Sequence, residues 1–279
     1  MAAWTKLGVI AGGGELPVRI AQHCASTGAA YYVARIIGVS DAELATHPGG
    51  DFGLGEMGGR LRALREAGCD AVTFVGMVKR PDFKSLKLDA RAALMMPRIL
   101  SAARKGDDAL LRALGDEHER EGFRLVGADE VLASLLAPAG AFGAVRPDEA
   151  QQGDIMKGAE VAAALGSWDI GQGCVVCDGL VLALEAQEGT DEMLARVARL
   201  PADIRGVESA RRGVLVKRPK PIQDRRIDLP TIGLPTLEGA ARAGLAGIAV
   251  EAGGALVMQR DALIKRADDL GLFVYGFTP

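Results

Sequence analysis

Aromatic side chains are scarce in this 279-residue chain, at 4% of positions, and neither sign of charge dominates: 33 basic against 36 acidic residues leave a formal charge of −3. No nucleic-acid partner is expected, because single strands stack on exposed aromatics and duplexes need a basic field. Histidine is scarcer still. His23, His47 and His118 show no metal-ligand spacing, which speaks against a zincin centre or a histidine-based triad. Long apolar runs are missing as well. The opening stretch MAAWTKLGVIAGGGELP has only a few apolar residues before its glycines, too few for a signal-peptide core and far too few to span a bilayer. The expectation is a cytoplasmic protein.

Cysteine occurs four times, and without a secretory signal the thiols should stay reduced. Two of them form CVVC, Cys174 to Cys177. Valines between them and Asp178-Gly179 after them place the pair in a strand, where residues three apart point to opposite faces. No second pair completes a four-cysteine zinc site, so these read as core thiols.

What the chain does have is 49% hydrophobic residues and 37 glycines, enough for two α/β domains each with its own core. KLGVIAG, LPVRIAQHCASTG and AYYVARIIG read as strand, helix and strand, and the alternation continues to FRLVG. This implies a Rossmann-like parallel-sheet domain over residues 1–136. Ala, Gly and Pro then concentrate around residues 137–147, read as a linker. Residues 148–279 read as a mixed α/β domain, in which CVVCDGLVLALEA forms a hairpin turning at Asp-Gly.

Three stretches carry chemistry. In GVIAGGGELP, Gly12, Gly13 and Gly14 follow a strand and precede a helix, so their amides are candidates to approach a phosphate. On that reading a valine at Gly13 should hinder binding more than folding. The dinucleotide fingerprint fails, since Pro17 replaces its third glycine and Arg35 stands where a ribose-binding acid belongs. An NADP-linked oxidoreductase using Arg35, a non-catalytic nucleotide-binding module and a plain turn stay open. In EAQEGTDEML, Thr190 or Asp191 can cap a helix, yet Glu185, Glu188, Asp191 and Glu192 exceed what a cap needs and suggest Mg²⁺. In VKRPKPIQDRRIDLPTIG, Lys217, Lys220, Arg225 and Arg226 can neutralise phosphate while Asp224 and Asp228 hold a metal or a water. The last two stretches are expected to face each other across one site for phosphate-ester or pyrophosphate hydrolysis.

IAGGGELP, FVGMVKRPDF, KGDDALLR, DIGQGCVV, EAQEGTDEML, VKRPKPIQDRRIDLPTIG and the terminal GLFVYGF occur in order over nearly the whole chain. The set resembles the LpxI-type UDP-2,3-diacylglucosamine pyrophosphatases of lipid A synthesis. Met77, in FVGMVKRP, departs by standing where many relatives are expected to carry a polar residue. The resemblance implies Mg²⁺-dependent hydrolysis of UDP-2,3-diacylglucosamine to UMP and 2,3-diacylglucosamine 1-phosphate, lipid X. By the same resemblance Asp224, Asp191 and Thr190 are catalytic, and Asp191, Asp224, Glu188 and Asp228 hold the metal. Substrate would meet Gly12, Gly13, Gly14, Lys79, Arg80, Gln172, Lys217, Lys220, Gln223 and Arg226. The lipid would be lifted from the cytoplasmic face of the inner membrane by transient contact, its acyl chains lying near AARAGLAGIAVEAGGALV, and a homodimer is left open.

Overall fold

The computed structural model describes residues 4–279, which divide into two compact units. The first comprises the chain as far as Ala133 together with Asp224–Asp228; the second comprises Ser134–Gln223 and Leu229–Pro279.

In the first unit, β1 (Leu7–Ala11), α1 (Glu15–Thr27), β2 (Tyr31–Ile36), β3 (Gly49–Phe52), α2 (Met57–Glu66) and β4 (Ala71–Val75) follow in turn. Then come α3 (Ala90–Ala103), α4 (Asp107–Arg120), β5 (Arg124–Leu125) and the short α5 (Ala128–Val131). The five strands pair in parallel in the order β3-β2-β1-β4-β5. Every residue of β1, LGVIA, is buried, as a central parallel strand covered on both faces requires. Val72 of β4 packs with Leu61 and Leu64 of α2, Met95 and Ile99 of α3 and Ala113 of α4, and Ile227 joins this core from the far end of the sequence. The strand β3, sequence GGDF, escapes sequence reading because it has neither apolar alternation nor β-branched residues.

The second unit starts with β6 (Gly140–Ala141), which pairs antiparallel with the last strand, so residues 137–147, expected as a linker, contribute to a sheet. There follow α6 (Glu149–Ser167), β7 (Gly173–Cys177), β8 (Leu180–Leu184), α7 (Gly189–Ala198), β9 (Val214–Lys217), β10 (Thr231–Ile232) and α8 (Leu234–Arg242). The chain closes with β11 (Gly247–Glu251), β12 (Leu256–Val257), α9 (Arg260–Leu270) and β13 (Phe273–Phe277). A six-stranded sheet runs β6-β13-β11-β9-β7-β8, with β9, β11 and β13 parallel and the other three antiparallel to their neighbours. β10 and β12 make a separate parallel pair.

Alternation along the strands sorts the second core into two layers. Val175, Leu215, Ile248 and Val250 pack on α7, α8 and α9, while Cys174, Val176, Val214, Val216 and Ala249 pack on α6. The hairpin forms at Asp178-Gly179 as expected, with both turn amides donating to buried Asp154 of α6, at 3.0 and 2.7 Å. Within AARAGLAGIAVEAGGALV, Ala240, Ala243, Leu245, Ile248, Val250 and Ala255 are wholly inaccessible, so this segment is core rather than an acyl-chain groove. The four cysteines are free and buried. No described helix is long and apolar enough to cross a membrane.

Candidate active site

The carboxyl ends of β8 and β9 and the first turn of α7 bring together three side chains of the second unit. Lys217 ends β9 and is 4% exposed; Glu185 follows β8 and is 6% exposed. Thr190, in the first turn of α7, lies between them. Its hydroxyl donates to Glu185 Oε1 at 2.5 Å and accepts from Lys217 Nζ at 2.7 Å. The two charges stand 3.8 Å apart. β7 runs between β8 and β9, and its residue at this level is Gly173, paired with Lys217 and accepting the Glu185 amide at 2.9 Å. A Cβ on Gly173 would lie 2.7 Å from Glu185 Oε2 and 3.4 Å from Lys217 Cγ. Glu185 Oε2 and Gln172 Oε1 are buried acceptors that meet no donor among the described residues.

The remaining candidates of this unit fare differently. Asp191 is exposed in the first turn of α7. Glu188 is ion-paired with Arg196 at 2.6 Å. Hydrogen bonding from its own backbone, and then Arg196, holds its carboxyl below the usual carboxylate range. Lys220 does not stand free for phosphate: its ammonium lies 2.5 Å from Asp169 Oδ1, with the two side chains only 11% and 7% exposed. Gln223 shapes the proline-bounded turn, its Oε1 accepting from the Lys220 amide at 2.9 Å.

In the first unit the glycine turn is closed on itself. Gly12 N donates to Val75 O at 2.7 Å, Gly13 N to Met77 O at 2.9 Å and Gly14 N to Asp41 Oδ2 at 2.6 Å. All three amides proposed for phosphate are thus engaged. A Cβ on Gly12 would stand 2.8 Å from Gly76 and Met77 backbone atoms, and one on Gly13 2.8 Å from Val39 O, so these glycines serve close backbone packing. Met77 takes part through its backbone while its side chain is 72% exposed, so the chemistry of that side chain does not affect the bridge. Lys79 is exposed, and Arg80 pairs with Asp107 at 3.0 Å and donates to the Ala103 carbonyl. Arg35, the residue an NADP site would need, is committed to Asp51 at 2.7 Å and to the carbonyls of Leu44 and His47.

Asp224 and Arg226 belong to this first unit. Arg226 grips both oxygens of Asp224, at 3.0 and 2.7 Å, and reaches Glu119 at 2.8 Å. That guanidinium holds the Asp224 carboxyl below its ordinary range, so the group is ionised at neutral pH. Asp228 is half-buried, its amide turned back to the Asp224 carbonyl at 3.3 Å.

Among the described residues no three His, Cys, Asp or Glu side chains converge to form a protein-built metal cage. The donors nevertheless suit a hard cation that keeps most of its waters and takes one carboxylate plus phosphate oxygens. Asp191 is exposed beside Thr190 in the chain, and its carboxylate makes no hydrogen bond or ion pair among the described residues.

The LpxI N-terminal domain model matches residues 6–135 and the LpxI C-terminal domain model residues 138–275. A Caulobacter vibrioides protein named UDP-2,3-diacylglucosamine pyrophosphatase LpxI is 56% identical over 274 residues, covering 98% of either chain. With both family models matched in order and identity sustained from end to end, this chain belongs to the LpxI family.

Proposed function

We propose that the protein hydrolyses the pyrophosphate bond of UDP-2,3-diacylglucosamine, releasing UMP and lipid X, as a Mg²⁺-dependent enzyme of lipid A biosynthesis. The observation that carries this is the buried Lys217 ammonium in contact with the Thr190 hydroxyl at the carboxyl edge of a sheet with a parallel centre, where α/β folds hold their ligands. A pyrophosphate brings negative charge that grows on the leaving phosphate, and a preorganised ammonium in a dry setting offsets it. Lys217 has three N–H donors, of which Thr190 takes one. The substrate class comes from the name of the Caulobacter vibrioides relative, 98% of which this chain covers.

Asp224 enters the proposal through the family's pattern. Ionised and held by Arg226, it is a firm acceptor for a water proton and a weak base, suited to orienting the attacking water. Arg226 fixes that carboxylate rather than a phosphate. Mg²⁺ would be held by Asp191 with substrate oxygens and water; when bound it offsets phosphoryl charge. For the acyl chains, the second unit has a groove of about 310 Å³ whose lining includes Ile155, Met156, Tyr275 and Phe277. The protein would work in the cytoplasm, touching the inner leaflet to collect its lipid.

The test is release of UMP from UDP-2,3-diacylglucosamine with Mg²⁺ and with EDTA. No UMP in the presence of Mg²⁺ refutes the activity, and undiminished release in EDTA refutes the cofactor.

A further inference from the structure

We infer that Glu185 is a positioning residue of this site, acting through Thr190 and Lys217 across a gap that Gly173 keeps open in the strand between them. The roles of Thr190 and Lys217 rest on the proposed hydrolysis; the arrangement itself does not.

A threonine hydroxyl has one proton, and here it goes to Glu185 Oε1, which leaves a lone pair to receive Lys217. Glu185 therefore fixes the direction in which the hydroxyl points. It also supplies the counter-charge to a buried ammonium. The other charged groups nearby are occupied or turned away: Glu188 is held by Arg196, Lys220 by Asp169, and Arg218 by Glu251 and the Ala159 carbonyl on the α6 side. Asp191 and Glu192 are exposed on α7. A buried ion pair is a poor device for stability alone, since an apolar pair of the same volume often serves better. What it supplies is orientation. Gly173 completes the device because β8, β7 and β9 are adjacent at this level, and any side chain on β7 would separate Glu185 from Lys217. This accounts for the second glycine of DIGQGCVV, Gly173, whose chemistry the sequence alone leaves unread.

The experiment uses full-length protein with Glu185→Gln, Lys217→Met, their combination and Gly173→Ala, each checked by circular-dichroism melting. Glu185→Gln should lower kcat about 10- to 100-fold with little change in KM, the scale on which orienting partners act. The double variant should be no slower than Lys217→Met, because Glu185 works through that amine. Effects that multiply, or a normal kcat in Glu185→Gln, would overturn the inference. A second readout needs no turnover: the time course of Lys217 amine modification at one fixed pH, followed by peptide mass spectrometry. With Thr190 no longer oriented by Glu185, the amine loses the hydrogen bond that holds it in place and should be modified faster in Glu185→Gln. An unchanged time course would overturn the inference even if native protein released no UMP, the result that would sink the proposed activity separately. If Glu185→Gln does not fold, Gly173→Ala decides, with both charges retained: a native kcat would refute the arrangement.

Discussion

Acid should loosen the first unit through one side chain, His118. The imidazole has no exposed surface, lies edge-on to Phe74 with ring centres 5.0 Å apart and meets the Leu114 carbonyl through Nδ1 at 2.8 Å. Burial, opposed in part by that hydrogen bond, lowers its pKa from 6.5 to about 4. Between these values the unfolded chain binds a proton that the folded chain refuses. Stability is therefore full above pH 6.5 and is lost as pH falls toward 4. Two and a half units at 1.36 kcal/mol each give about 3 kcal/mol for the whole window, of which about 2 kcal/mol falls between pH 7 and pH 5. Urea unfolding of the full chain at those two pH values should show native protein losing about 2 kcal/mol more than His118→Gln, which has no proton to gain there. Carboxylates that also titrate cancel in the difference. Equal losses, or a His118 Cε1 proton resonance titrating near pH 6.5 in the folded state, would refute the assignment.

Gly13→Val should lower the melting temperature before any ligand is present, by the equivalent of about 1–3 kcal/mol, because its Cβ meets the Val39 carbonyl; unchanged melting would return the turn to ligand binding. Asp224→Ala should fold, leave Arg226 paired with Glu119, bind substrate and lose about 100-fold in single-turnover UMP release; near-native release would remove Asp224 from the mechanism. Asp191→Asn should shift the Mg²⁺ titration of activity to higher concentration, and an unshifted titration would leave Asp191 a helix-end charge only. Burial pushes the thiols of Cys174 up to about 12 and Cys177 up to about 11, so neither should react with a disulfide reagent at pH 8 until urea unfolds the chain. Rapid labelling of CVVC in native protein would reopen a redox role.

Period and punctuation carried most of the fold. The parallel sheet of the first unit, the Asp-Gly hairpin and the helix that begins within EGTDEML are legible because alternation, turn residues and apolar spacing agree locally. Helix α6 is not, since its buried face has only Ile155 and Leu165 as large apolar residues, with Asp154, Gly158, Ala159, Ala162 and Gly166 making up the rest, and such small residues barely raise an apolar signal. The site divides along the same line. Thr190 and Lys217 stand in contact, as a reading of charge beside a helix start can suggest. Glu185 looked like one acid among four, and only the register of β7 against β8 and β9 shows that it points inward at an ammonium. The glycine turn illustrates the converse: a phosphate-like motif whose amides are taken by Val75, Met77 and Asp41, partners that lie 27 or more residues along the chain. Long-range pairing of this kind leaves no mark in local sequence.

Ile227 sits against Gly115 and Leu125 in the core of the first unit, on a five-residue excursion from the second half of the chain. A gene cut at the junction between the two matched family domains would therefore not yield two self-sufficient fragments. The amino-terminal piece would lose a buried isoleucine, worth about 1.5–3 kcal/mol, along with the Arg226 contact to Glu119, and the carboxyl-terminal piece would carry Ile227 with nothing to cover it. Each fragment holds what the other lacks, so the natural outcome of splitting here is complementation on co-expression rather than two soluble halves.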